Sequence, residues 1–233
     1  MSVVNMDSIL PFLEGDKIFE LDLNNLLTLL SQPSLIKSSD KTQLNSLCGK
    51  VNNYLKSNNT RYRWIGTKLV TIICLHPEII ISNHTSIFLV NLIKILETKC
   101  FVKDESNIDI HTLVTLKSAT NAINFIINKI KGKPSLTREI LTPKLPIIIS
   151  NLINCIHLIP EDSIKLLIKI LINNSTTFRP FGNKFEVKLL NLINNDSNFN
   201  KFNQSLKDLI LLSLVLLKFN LSRENSTSIM ILN

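Results

Sequence analysis

Catalysis by a protein requires titratable or nucleophilic side chains brought within hydrogen-bond reach of one another, and this sequence offers few such arrangements. Cys155 and His157 come nearest to a nucleophile and base, but two positions apart on a helix they point about 200° apart around the axis. Two adjacent acidic pairs, Asp104 with Glu105 and Glu161 with Asp162, read as solvated caps in loops or helix starts, where backbone N–H groups favour negative charge. His76 stands before Pro77 at a helix end, where a protonated ring would satisfy terminal carbonyls. His84 and His111 read as ordinary loop or helix-start residues. The five glycines do not cluster, so no loop can cradle a nucleotide phosphate, and nucleotide hydrolysis is excluded. Four cysteines, Cys48, Cys74, Cys100 and Cys155, lie far apart without a C-x-x-C pair or a histidine at metal-ligand spacing. They are expected to be buried free thiols. The chain is therefore read as non-enzymatic, with no catalytic residue, no cofactor and no metal.

Two segments concentrate residue types suited to binding. The first, Asn128 to Glu139, sets Lys129, Lys131, Lys133 and Arg138 around a helix break, with Lys144 just beyond. The second, Ser175 to Phe185, mixes Phe178, Phe181 and Phe185 with Arg179 and Lys184 in an expected loop. Against a functional reading, the first is a solvated helix end and the second a loop plugged into the core by its phenylalanines. A net charge of +8 and a pI near 9.4 favour an acidic partner such as RNA, DNA or an acidic protein surface. Part of the lysine excess belongs to a composition that is also rich in Asn and Ile, so charge alone does not decide the partner.

Helical periodicity must supply the frame for these segments, because strand-type alternation is almost absent. Stripes run through Leu23, Leu26, Leu27 and Leu30; through Leu44, Leu47, Cys48, Val51 and Leu55; and through Tyr62, Ile65, Leu69, Ile72 and His76, ending at Pro77. Leu89, Ile93 and Leu96 mark a fourth helix. Ala119, Ala122, Ile123, Ile126 and Ile130 mark a fifth, closed by Gly132 and Pro134. Leu145 to Ile159 carries a sixth, which Pro160 ends, and Ile164, Leu167, Ile168 and Leu171 form the buried face of the next. Two more follow around Phe185–Ile193 and Leu206–Phe219. Pairing the stripes gives a unit of roughly 40 to 47 residues, the period of HEAT or armadillo arrays. The expected fold is all-α, a single domain over residues 1–233 built as an α-solenoid of HEAT/armadillo-like helical hairpins, with a compact bundle as the alternative.

The last helix is apolar on more than one side. Leu206, Leu209, Ile210, Leu214 and Leu217 form one face, while Leu211, Leu212, Val215 and Leu216 cover much of the other and are expected to be an interface. Its apolar run falls short of the ~20 residues of a membrane span, and the N-terminus lacks a secretory pattern, so an intracellular, non-membrane protein is expected.

Two strings within these elements carry a family resemblance. K-P-x-L-x-R-E at Lys133 to Glu139 and T-T-F-R-P-F-x-N-K-F at Thr176 to Phe185, with the helices around them from Lys129 to Ile193 and more weakly Trp64 to Ile80, resemble the N-terminal domain of the Rix-type pre-ribosomal-RNA-processing family. The first 60 residues carry no matching motif. The resemblance implies a non-catalytic α-solenoid scaffold in a nuclear complex, nucleolar and nucleoplasmic, that processes the second internal transcribed spacer and matures the large ribosomal subunit for export. The partners it implies are a WD-repeat propeller subunit, a smaller helical-repeat subunit, a dynein-like AAA ATPase, the pre-large-subunit particle with its rRNA, and a second copy of the chain. Relatives extend well beyond such a domain, so either the N-terminal domain alone or a shortened protein is expected. The competing reading is a basic helical-repeat module that binds nucleic acid or chromatin directly, which a steep salt dependence of RNA binding would reveal.

Overall fold

In a computed structural model of the chain, residues 5–14, 23–75, 82–97, 109–194 and 199–230 are described, and no strand occurs among them. The protein is all-α, as the spacing requires. It packs as two compact units, one running through Thr142 and one from Pro143 onward.

The first unit opens with α1 (Met6–Ile9), continued by a 3-10 turn, then α2 (Leu23–Leu30), α3 (Pro33–Ser38), α4 (Lys41–Lys56), α5 (Thr60–Leu75), α6 (Ser82–Glu97) and α7 (Ile110–Ile130). Asp40 starts α4 through a capping box: its carboxylate accepts the Gln43 N–H at 2.7 Å, and the Gln43 side chain accepts the Asp40 N–H at 3.0 Å. Two hairpin partners, α4 and α7, pack against α5, and α6 packs against both α4 and α7. Because α5 is covered on two sides, its buried set is Ile65, Gly66, Thr67, Leu69, Val70 and Ile73, broader than the single stripe read from sequence, in which Tyr62 and Ile72 are only half-buried. Gly66 is where α4 comes closest: a Cβ there would lie 3.0 Å from the Leu55 backbone nitrogen and 3.1 Å from Tyr54 Cβ. His76 lies outside the described residues, as do Cys100, Asp104 and Glu105.

Helix α7 begins well before the stripe that announced it. Its first half buries Thr112, Thr115 and Ser118, polar residues that give no apolar periodicity. Local bonds make that burial tolerable: Thr115 Oγ1 donates to the His111 carbonyl at 2.7 Å, and the Ser118 and Thr67 hydroxyls lie 2.7 Å apart.

The second unit contains α9 (Leu145–Cys155), α10 (Pro160–Asn173), α11 (Ser175–Phe178), α12 (Gly182–Asn194) and α13 (Gln204–Met230); the short α8 (Pro134–Leu136) precedes it on the first. Pro160 is the first residue of α10, where a missing N–H costs nothing, and Glu161 and Asp162 occupy its first turn as expected. Helix α10 packs against α9 and α13, and α12 packs against α13. Ile148, Ile149, Leu152, Ile156 and Ile159 from the expected sixth stripe are all buried, although the helix itself ends at Cys155 and the rest of the stripe sits in a turn. The final helix runs to Met230, further than its apolar face foretold.

Candidate partner-contact surfaces

The basic string begins where α7 stops. Lys131 (φ −54°, ψ 128°) and Gly132 (φ 88°) form the centre of a type II turn closed by a 2.9 Å bond from the Lys133 N–H to the Ile130 carbonyl. A Cβ on Gly132 would meet nothing, so conformation alone demands glycine here. Gly132→Ala should therefore cost about 1–2 kcal/mol, the penalty for an L-residue in left-handed space. A melting curve superimposable on that of the parent protein would contradict this.

Beyond the turn, Pro134 opens α8, and the backbone then widens into a π-turn over Thr137–Leu141, with the Thr142 N–H reaching back to the Thr137 carbonyl. A 3-10 turn over Thr142–Lys144 follows. Pro143 has no N–H for an ordinary helical ladder, which accounts for the irregular winding. The K-P-x-L-x-R-E string is thus a wound connector. Lys131, Lys133 and Arg138 stand exposed along it and carry no ion pair among the described residues. Lys129 does not join them: it is half-buried, and its Nζ lies 3.4 and 3.5 Å from the Ile73 and Cys74 carbonyls, where it caps the C-terminal end of α5. Lys129 thus has a more sheltered setting than the exposed cations of the connector. Lys144, at the start of the second unit, is half-buried.

The second string is not a loop. Its residues wind into α11, a 3-10 turn over Arg179–Phe181 and the first turn of α12, because Pro180 suits the start of a 3-10 turn and Gly182 is buried where α12 begins. Phe178 and Phe185 are both fully buried, with ring centroids 5.7 Å apart at 68°, an edge-to-face pair. Phe181 is only half-buried, so of the three phenylalanines expected to plug the core Phe178 and Phe185 do so fully and Phe181 in part. Arg179 and Lys184 are exposed on the same segment.

Helix α13 buries Leu206, Ile210, Ser213 and Leu217 against α10 and α12, with the Ser213 hydroxyl donating to the Leu209 carbonyl at 2.7 Å. Leu209 and Leu214 flank that seam and are half-buried. On the other side Leu211 is 53% exposed, Leu212 49%, Val215 63% and Phe219 53%, while Leu216 is half-buried. Val187 and Leu190 on α12 are exposed as well.

Among the described residues no three His, Cys, Asp or Glu side chains gather as a metal site would require. Burial pushes the Cys48 thiol up to about 12, aided by Cys74, and pushes Cys74 up to about 11 despite the Lys129 charge, so both stay protonated and unreactive at neutral pH. Cys155 is buried and His157 exposed, facing apart as their spacing required. No helix among the described residues is long and apolar enough to cross a membrane.

A family model for rRNA processing and ribosome biogenesis, that of RIX1, matches residues 9–200. The chain belongs to the RIX1 family. Pre-rRNA-processing protein RIX1 of Scheffersomyces stipitis is 33% identical over 207 residues, covering 89% of this chain and 27% of that protein. The Candida albicans protein of the same name is 36% identical over 173 residues, with coverages of 72% and 22%, and the Saccharomyces cerevisiae protein is 31% identical over 176 residues, with coverages of 75% and 23%. This chain thus spans about a quarter of the length of these RIX1 relatives. Among solved structures, a chain of the Rix1 subcomplex of a Rix1-Rea1 pre-60S particle superposes with a TM-score of 0.79 at 26% identity, covering 93% of this chain and 39% of that one. The family match includes both strings and also reaches to residue 9, into the segment where sequence reading found no motif. It stops short of α13.

Proposed function

We propose that this chain is a non-catalytic helical scaffold in a nuclear complex that processes the second internal transcribed spacer of pre-rRNA and prepares the large ribosomal subunit for export. The observation that carries the reading is the match, over 93% of the chain, to a Rix1 subcomplex found in a pre-60S particle together with Rea1. On this reading its companions are a WD-repeat propeller subunit, a helical-repeat subunit, a dynein-like AAA ATPase and the pre-large-subunit particle, and the exposed side of α13 joins a second copy of the chain. The nucleolus and nucleoplasm are the places of action. Affinity capture of the tagged chain from nuclear extract tests it: recovery of pre-60S proteins with spacer-containing rRNA is the expected result, and recovery of neither defeats the proposal.

Lys131, Lys133 and Arg138 are proposed to engage rRNA or an acidic partner, with Lys129, Lys144, Arg179 and Lys184 as further cationic contacts. Reversing the first three to Glu should weaken particle association while melting changes by less than about 0.5 kcal/mol, the usual range for exposed charges. Undiminished association would leave them as solvated residues. Direct RNA binding is a second reading favoured by the same exposed cations. It requires affinity for bare RNA that falls steeply with salt, whereas an interface dominated by apolar area is much less sensitive.

A further inference from the structure

Thr142 is the only serine or threonine of the chain that stands directly before a proline; each of the other prolines follows Leu, Gln, His, Lys, Ile or Arg. Thr142 and Pro143 are both exposed, where the π-turn of the connector gives way to the 3-10 turn. The Thr142 N–H and hydroxyl go to a single acceptor, the Thr137 carbonyl, the hydroxyl at 3.1 Å. Little else fastens the spot, because neither Pro143 nor Pro146 has an N–H to give. A residue before proline also prefers extended backbone to the helical angles that Thr142 takes, φ −53° and ψ −44°. Release of one carbonyl therefore lets Thr142 and Pro143 straighten at far less cost than unfolding the unit. Arg138 lies close by. The Lys133 carbonyl accepts the Thr137 N–H at 3.0 Å and the Thr137 carbonyl accepts the Thr142 N–H, so successive turns lead from Lys133 past Arg138 to Thr142. A π-turn pairs residues five apart, which sets position 142 over 137 and 138 and leaves Glu139 further round the axis. Arg138 is exposed with no ion pair among the described residues, and a guanidinium can grip a phosphate through two hydrogen bonds.

We infer that Thr142 is a phosphorylation site for a proline-directed protein kinase and that Arg138 holds the phosphate. Such a kinase takes its substrate extended, with the residue after the acceptor in a pocket that offers an N–H no partner; Pro143 has none to lose. In the transfer, Thr142 Oγ1 bonds the γ-phosphorus of ATP while the bond from that phosphorus to the β–γ bridging oxygen breaks. ADP leaves with the electron pair, and the hydroxyl proton passes to the catalytic carboxylate of the kinase. The connector that carries Lys131, Lys133 and Arg138 thereby gains about two negative charges. The consequence rests on the contact role proposed for those cations: phosphorylation loosens their hold on an acidic partner.

The whole chain and a peptide of residues 139–149, which begins after Arg138, are incubated with ATP and an active mitogen-activated protein kinase. Mass spectrometry should find one phosphate on Thr142 in both and none in the Thr142→Ala chain. A labelled peptide beside an unlabelled chain overturns the site, because the turn is then closed to the enzyme. Digests of the native protein isolated under phosphatase inhibition should yield the same phosphopeptide, and its absence there also overturns the site. Phosphorus NMR then follows the second ionisation of the phosphate, which has a pKa of about 6 when free. A facing cation favours the dianion, so this pKa should lie lower in the chain than in the peptide and return to the peptide's value in Arg138→Ala, a change at an exposed position. Equal values in chain and peptide overturn the hold by Arg138. Labelling and ionisation involve no ribosomal particle, so their failure is distinct from a failure of the proposed function. Where the unmodified chain captures pre-60S particles, the phosphorylated chain should capture several-fold fewer, and equal capture overturns the loosening.

Discussion

Phe178→Ala and Phe185→Ala should each lower stability by about 3–5 kcal/mol, the cost of emptying a fully buried aromatic site that the surroundings cannot refill. Both rings are inaccessible to solvent and meet edge to face, so each substitution also removes the partner's ring contact, worth about 0.5–1.5 kcal/mol beyond burial. The double variant should accordingly lose less than the sum of the two, by about that contact energy. Phe181→Ala should cost only about 1–2 kcal/mol, because a half-buried ring has less to lose. Chemical denaturation of the four proteins checks the order. An equal loss at Phe181 and Phe178 would mean that the segment packs otherwise, and normal stability with lost partner binding in Phe178→Ala would make it a contact site after all.

Conversion of Leu212 and Val215 together to Glu should turn a self-associating chain into a monomer at the same concentration, with helix content unchanged. Both residues are about half exposed or more on the side of α13 away from α10 and α12, so charges there meet water in the isolated unit and disturb only what docks on it. Four large apolar side chains in successive turns form the kind of contiguous patch that soluble monomers rarely leave open. Light scattering decides: a clean wild-type monomer at high concentration defeats self-association through α13, and association that survives both glutamates places the contact elsewhere.

Much of the architecture was legible because helical spacing of Leu and Ile is a direct physical record of which side faces the core. The stripes at Leu47 to Leu55, Leu89 to Leu96, Ile148 to Ile159 and Ile164 to Leu171 are buried as read. Where buried positions are hydroxyl residues, as at Thr112, Thr115 bonded within its own helix and Ser118 paired with Thr67 of α5, the apolar record is blank and half of α7 went unseen. The winding of the two strings was hidden for another reason. Their Pro and Gly residues mark breaks in an ordinary helical ladder, but whether such a break opens into a loop or tightens into π and 3-10 turns depends on what the flanking helices leave room for.

By itself the sequence determined the all-helical class, the absence of a phosphate-binding or metal-binding motif, the likeness to the Rix-type family and the excess of apolar surface on the last helix, since each follows from local spacing or residue identity. Only the tertiary structure decided which charges remain available. Lys129 and Lys131 are two residues apart on the same basic string, yet one is half-buried with its ammonium near the carbonyl end of α5 while the other stays in water. Nor could spacing bring Arg61 and Trp64 to face His111 across one cavity, because some fifty residues separate them and only the packing of α5 on α7 closes that distance.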